Sequence, residues 1–201
     1  MNIQETITKA AKLLERNSFK TPYLDSELLL LKVLNKDKKY IILNSKENLS
    51  KKNLNNFNTL ICRRKKGEPV AHLINFKEFW KQRYFINKDV LIPRPDTEIL
   101  VEETLKIYDK EKKLKVLDIG TGSGCLLLSI LKERKNFLGI GVDISKKAIN
   151  VACFNAKIQQ LRNRVKFYNS DIDKFFIGKY DLILSNPPYI KNFDLKYLEK
   201  D

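Results

Sequence analysis

Near the end of the chain the run "SNPPYI", Ser185 to Ile190, closes an apolar stretch that reads as a buried strand. Two consecutive prolines supply no backbone N–H and fix φ, so the chain leaving that strand is stiff and rich in carbonyl oxygens. Asn186, Pro187, Pro188 and Tyr189 thus set a side-chain amide, two bare carbonyls and an aromatic ring side by side. This set suits methylation of a planar NH2 group. Such a nitrogen is a poor nucleophile, because its lone pair is delocalised, so a site must hold both N–H groups, aim the nitrogen and exclude water. The side-chain oxygen of Asn186 and the backbone carbonyl of Pro187 are two acceptors for two hydrogens. Pro188 stiffens them, and the Tyr189 ring offers a stacking surface. Positioning of this kind can supply about 7–11 kcal/mol of a barrier, and ring contact with a developing cation about 0.5–2 kcal/mol. No strong general base is required, since the proton becomes acidic only as the methyl arrives. The bland alternative is a proline-rich strand exit.

A second set lies upstream in "DIGTGSG", Asp118 to Gly124, with glycines at 120, 122 and 124 around Thr121 and Ser123. Glycines there let the backbone turn tightly and approach a ligand. The spacing is GxGxG, not the dinucleotide GxGxxG, and no Gly-Lys-Ser/Thr follows, so a phosphate-cradling P-loop is excluded. A purely structural tight turn is the alternative. Asp143, at the tip of the next strand, can accept from both hydroxyls of a ribose, or cap the helix after it. Asp171, in "NSDID" after a third strand, can accept from the amine of adenine, or serve a turn. Strand tips bearing Asp118, Asp143 and Asp171 fit a ligand with an amine, a ribose and an adenine. S-adenosylmethionine meets that description better than a dinucleotide, and a nicotinamide dehydrogenase would leave "NPPY" unexplained.

With these residues stand "GEPVAHL" (Gly67 to Leu73), "EFW" (Glu78 to Trp80) and "LIPRPDTE" (Leu91 to Glu98). In that order, across nearly the whole chain, they resemble the release-factor glutamine methyltransferases, the PrmC/HemK family. "NPPY" alone is shared with DNA adenine and ribosomal RNA methyltransferases; "IPRPDTE" ahead of the glycine loop is far more specific. The resemblance implies a class I methyltransferase using S-adenosylmethionine. Its substrate would be the Gly-Gly-Gln glutamine of class I peptide chain release factors, methylated on its side-chain nitrogen. It places Asp118, Gly120, Thr121, Gly122, Ser123, Gly124, Asp143, Asp171, Ile172 and Asn186 at the cofactor, and Asn186, Pro187, Pro188 and Tyr189 at the glutamine. Asn186, Pro187 and Tyr189 would carry the catalysis. Ile172 stands where the family often has an aromatic residue against adenine. Arg94 and Thr97 close one side of the pocket, and His72 is a packing residue.

The elements that must position these groups are legible in outline. Residues 1–72 read as a small helical recognition domain. Ile3, Ile7, Ala10, Ala11 and Leu14 share a helix face. Thr21 with Pro22 opens a second helix in which Leu24, Leu28 and Leu31 repeat. Ser50 caps another through Leu54, Phe57, Leu60 and Ile61. Residues 73–93, aromatic and β-branched, predict a linking β-hairpin. Residues 94–201 predict a helix from Pro95 through Ile107, then strand and helix in alternation from residue 114. Apolar strands alternating with helices imply a parallel α/β sheet covered on both faces, Rossmann-like. The expected fold is a class I S-adenosylmethionine-dependent methyltransferase preceded by a helical bundle.

Composition bounds the alternatives. The chain has 201 residues, 43 % hydrophobic, with no apolar run near the ~18 residues a membrane span needs. Glu5 and Glu15 argue against a targeting peptide, so a cytoplasmic protein without a membrane partner is expected. Cys62, Cys125 and Cys153 lie far apart, with neither zinc nor disulfide spacing; they read as small buried hydrophobes, and no metal is expected. Thirty-nine Lys and Arg against 24 Asp and Glu give a net charge of +15. Such an excess is compatible with nucleic-acid contact without requiring it; its one dense cluster is "RRKK", Arg63 to Lys66. A methyltransferase acting on a base amine of DNA or ribosomal RNA is the nearest rival. The sequence stops soon after the fourth strand, where class I sheets have seven. This gives the expectation of a truncated or split product, with "YDLILS" as an apolar edge strand, or of an inactive remnant.

Overall fold

The computed structural model describes residues 1–186 and divides into two compact units, Met1–Ile74 and a second starting at Asn75. Pro187, Pro188 and Tyr189 lie outside the described residues. The hairpin falls within the second unit.

The first unit holds α1 (Ile3–Glu15), α2 (Pro22–Leu34), α3 (Lys38–Leu43), α4 (Lys51–Lys65) and α5 (Val70–Ile74). Three of these helices start on a side-chain cap. Asn2 and Glu5 form a reciprocal capping box on α1, Asp37 accepts from the Tyr40 N–H on α3, and Ser50 from the Asn53 N–H on α4. Caps of this kind contribute about 0.5–2 kcal/mol each. The α1 face is the expected one, with Ile3, Ile7, Ala10, Ala11 and Leu14 all buried. In α2 the buried face is Ser26, Leu29 and Leu30, while Leu24 is exposed. The continuous run Leu28 to Leu31 fits several helical phases, and packing against α1 and α4 chooses among them. Two of the cysteines also depart from expectation: Cys62 and Cys153 are exposed, and Cys125 is buried.

The basic cluster at the end of α4 is partly engaged within the unit. Arg63 forms a forked ion pair with Glu68. Arg64, 3 % exposed, reaches back 39 residues to Asp25 with Nε 2.8 Å from Oδ2, donates to the Glu68 carbonyl and lies 4.1 Å from the Phe19 ring.

In the second unit β1 (Phe76–Phe79) and β2 (Gln82–Phe85) pair antiparallel across Trp80 and Lys81, both at positive φ. That pair of left-handed residues matches the twist of a two-residue hairpin turn. A 3₁₀ turn (Pro95–Thr97) leads into α6 (Glu98–Ile107). There follow β3 (Lys115–Ile119), α7 (Cys125–Glu133), β4 (Leu138–Asp143), α8 (Lys146–Ile158), β5 (Val165–Asn169), a second 3₁₀ turn (Ile172–Lys174) and β6 (Leu182–Ser185). The four strands β5-β4-β3-β6 are all parallel, so the tips of β3, β4, β5 and β6 lie along one edge of the sheet. Among the described residues β6 pairs with β3 alone.

One face of this sheet carries Val116, Val165 and Leu184, packed with Leu127 and Leu131 of α7, Ala156 of α8, Val101 of α6 and Phe79 and Tyr84 of the hairpin. On the other, Leu117, Ile140 and Val142 meet Tyr168, Phe175 and Tyr180, the last two from the segment between β5 and β6. Gly141 is glycine because a Cβ there would sit 2.6 Å from the Phe167 ring and 2.9 Å from the Thr121 hydroxyl. Among the described residues no helix is long and apolar enough to cross a membrane.

Candidate active site

The glycine loop is set by backbone hydrogen bonds to the neighbouring strand. The N–H groups of Gly120 and Thr121 both donate to the Val142 carbonyl, at 2.8 and 3.0 Å. The loop closes on Gly124, whose N–H donates to the Thr121 carbonyl. Gly124 sits at φ +78°, where a Cβ would also press on Leu128, Ala152 and Phe167 at 3.2–3.4 Å. Only glycine meets both demands without strain. Asn155 of α8, fully buried, donates to the carbonyls of Ser123 and Phe85 and accepts from the Phe85 N–H, joining loop, helix and hairpin. Nothing in the sequence singled Asn155 out, since a helix asparagine with no motif around it reads as a surface residue.

Asp143, at the tip of β4, accepts from the Gly122 N–H at 2.9 Å through one oxygen and from the Ser145 N–H at 2.8 Å through the other. The helix cap is Ser145, which accepts from the Ala148 N–H. Each carboxylate oxygen has a second acceptor position, so the group is oriented and retains capacity toward a ligand. Asp171, after β5, accepts from the Asp173 N–H at 3.1 Å and caps the second 3₁₀ turn. Its turn role is therefore present, and it also faces the cavity described next.

A cavity of about 450 Å³ opens along the strand tips. Gly120, Gly122, Asp143, Asp171, Ile172 and Asn186 line it, together with Val90, Leu91 and Ile144. Beside it lies a smaller one of about 70 Å³, with Arg94, Thr97, Asp118, Thr121, Ser123 and Cys125 in its wall. Leu91, Gly120, Gly122 and Asn186 belong to both. Nine of the ten expected site residues from Asp118 to Asn186 line one cavity or the other, with Gly124 behind the loop rather than in either wall. Asp118, Thr121 and Ser123 face the smaller cavity only. Val90 was read only as part of the linker and Leu91 only as the first residue of "LIPRPDTE"; both are placed here by the chain running from the hairpin to α6.

Asn186 follows β6 directly, and its side-chain Nδ2 donates to the Thr97 Oγ1 at 2.7 Å. Ser185 Oγ donates to the Ile119 carbonyl across the β6–β3 pair. Asp118, 2 % exposed, accepts from the Thr121 hydroxyl at 2.6 Å. Burial pushes its carboxyl up to about 7, against the lowering effect of that hydrogen bond. Burial likewise pushes the Cys125 thiol up to about 12, so it stays protonated and offers no thiolate nucleophile near neutral pH. A separate cavity of about 310 Å³, lined by Lys115, Arg162, Arg164 and Lys166 among others, contains none of the expected site residues.

An apolar and glycine-backed cavity at the carboxyl ends of parallel strands, with an oriented carboxylate at one tip and a side-chain amide at another, is the site of a methyltransferase of the Rossmann-like type. Residues 95–198 match the family model described as "Methyltransferase small domain", and residues 5–74 match "PrmC N-terminal domain". A release factor glutamine methyltransferase of Buchnera aphidicola subsp. Baizongia pistaciae is 40 % identical over 201 residues, which is all of this chain and 72 % of that relative. Those of Coxiella burnetii and Aliivibrio fischeri are 37 % and 35 % identical, with 96 % and 100 % of this chain and 67 % and 71 % of the relative covered. The chain belongs to the release factor glutamine methyltransferase family.

Proposed function

We propose that this chain transfers a methyl group from S-adenosylmethionine to the side-chain amide nitrogen of a glutamine. The substrate is the Gly-Gly-Gln motif of class I peptide chain release factors, and the setting is the cytoplasm, where translation terminates. The observation that carries this reading is Asn186 standing in the wall of both cavities, with the Asp143 tip in the larger one and Arg94 and Thr97 in the smaller.

The residues present fit the cofactor. Asp143 is held by two backbone N–H groups yet keeps acceptor positions for two ribose hydroxyls. Ile144 and Ile172 give apolar contact for a flat base, with Asp171 near as an acceptor for its amine. The Gly120–Gly122 backbone allows close approach. When bound, S-adenosylmethionine supplies an electrophilic methyl group on a sulfonium sulfur.

The chain's own part is positioning. The Asn186 Oδ1 accepts one N–H of the substrate amide, which fixes the plane of the nitrogen and turns its lone pair toward the incoming methyl. The second acceptor is the Pro187 carbonyl and the stacking ring that of Tyr189, both assigned from sequence alone. Holding both hydrogens aims the nitrogen; the N–C bond would form as the methyl–sulfur bond breaks to leave a neutral thioether, and the proton, acidic only then, would pass to solvent water. The helical unit Met1–Ile74 is the part of the chain proposed to grip the release factor.

The test is methyl transfer from labelled S-adenosylmethionine to an unmethylated release factor, ribosomal RNA and DNA in parallel, with Asn186→Ala as control. Label on the Gly-Gly-Gln glutamine, lost in the control, is expected. Label on nucleic acid alone would replace this reading with a base-amine methyltransferase.

A further inference from the structure

An asparagine side chain has two ends of nearly the same size and opposite hydrogen-bonding sense. If Asn186 is to accept from the NH2 group of a glutamine, the oxygen must face it. Rotated by half a turn, the amide would present two N–H groups to the substrate's own two, and the hydrogen bond that aims the nitrogen would be replaced by repulsion.

We propose that Thr97 is the positioning residue that makes this choice, a role that rests on the glutamine reading above. Its Oγ1 lies 2.7 Å from the Asn186 Nδ2 and accepts from it, which turns Oδ1 to the opposite side of the amide. Thr97 comes from a segment 89 residues earlier in the chain, and it is firmly seated. Pro95 fixes the first turn of the 3₁₀ element, and the Thr97 N–H donates to the Arg94 carbonyl at 3.1 Å. Thr97 is 8 % exposed, so water competes poorly for its hydroxyl. The next residue, Glu98, accepts from the Trp80 N–H at 2.8 Å and pins the same turn to the tip of the hairpin. The "PRPDTE" run thereby acquires a mechanical purpose. Proline starts the turn, threonine carries the acceptor, and glutamate anchors the turn to the rest of the unit. Both partners of the hydrogen bond line the smaller cavity, and Asn186 alone of the two also lines the larger. The orientation is therefore set at the corner where the two cavities meet.

Thr97→Val removes the hydroxyl at constant shape and Thr97→Ser restores it; Thr97→Ala serves if valine disturbs the turn. Two readouts are needed. The first is solvent exchange of the Asn186 side-chain amide protons, followed by nuclear magnetic resonance and assigned by their loss in Asn186→Ala. It should quicken about tenfold in Thr97→Val and return in Thr97→Ser, as expected for one lost and regained hydrogen bond. The second is transfer to a release factor at saturating S-adenosylmethionine. There kcat should fall about 100-fold in Thr97→Val, the scale of a misplaced reacting group, with KM for S-adenosylmethionine within about twofold of wild type. Thr97→Ser should recover most of kcat. Unchanged amide exchange in Thr97→Val, or kcat within about twofold of wild type, or a serine variant as slow as valine, would each overturn the role of Thr97 while leaving the glutamine reading intact. Wild-type protein that transfers nothing to the release factor, beside an active relative, would overturn both together.

Discussion

The two units each bury a carboxyl group and treat it in opposite ways. In the helical unit Asp25 lies against the Arg64 guanidinium, with the Thr21 hydroxyl donating to its other oxygen. In the sheet unit Asp118 has a neutral hydroxyl as its hydrogen-bond partner and the Asp143 carboxylate as an unfavourable neighbour, and its carboxyl is pushed up to about 7. The first arrangement closes a network between α2 and the end of α4. The second ties the tip of β3 to the glycine loop through the Thr121 hydroxyl. What separates them is purpose: polar burial in the helical unit fixes the packing of helices, whereas in the sheet unit it fixes the orientation of groups that face a cavity. Substitutions in the two places should therefore fail in different measurements.

The largest effect should come from Arg64→Ala, which leaves Asp25 buried without its partner. A loss of about 3–5 kcal/mol in unfolding free energy is expected for such a change, read by denaturant titration. A loss under about 1 kcal/mol would mean the pair is no structural keystone. Asn186→Ala should show the reverse pattern. Transfer should drop about 100- to 1,000-fold, the range for removing one preorganised hydrogen-bonding group, while the unfolding midpoint stays within a degree or two. Gly141→Ala forces a methyl against Phe167 and Thr121 and should cost about 1–3 kcal/mol, with a parallel weakening of S-adenosylhomocysteine binding because Thr121 belongs to the loop.

The last effect is a pH dependence. A buried carboxyl whose folded value is raised from 3.8 to about 7 stays protonated in the folded chain while the unfolded chain ionises. Its contribution is thus greatest below about pH 4 and is lost as pH rises toward 7. Asp118→Asn keeps an acceptor for the Thr121 hydroxyl and removes the titration. The stability of this variant relative to wild type should rise between pH 4 and pH 7; a flat difference would mean that Asp118 ionises freely in the folded state.

The alternation of strand and helix from residue 114 was readable because apolar runs, glycines and helix starts agree at every step. The strand tips followed from it, and with them the grouping of Asp143, Asp171 and Asn186. What could not be read was anything that depends on two distant segments meeting. The Asp25–Arg64 pair spans 39 residues and the Thr97–Asn186 contact 89, and neither partner signals the other locally. "RRKK" looked like a charge patch for the same reason, although two of its four members have partners within the unit. The α2 face was set a residue or so out of phase because six apolar residues between 28 and 34 give no unique helical period. Cys62 and Cys153 proved exposed, since residue type alone does not place a cysteine inside. The family resemblance carried the site further than spacing did, down to Arg94 and Thr97 beside the smaller cavity.

The most direct test of the division between a cofactor tip and an acceptor tip is a paired measurement on wild type, Asp143→Ala and Asn186→Ala. S-adenosylhomocysteine affinity by calorimetry and methyl transfer to the release-factor glutamine are read from the same preparations. Asp143→Ala should lose at least about tenfold in affinity, as one charge-assisted hydrogen-bonding group would. Asn186→Ala should bind within about threefold of wild type, since its hydrogen bond serves the substrate amide, and transfer almost nothing. Equal loss of affinity in both variants, or undiminished transfer by Asn186→Ala, would contradict the assignment of Asn186 to the glutamine.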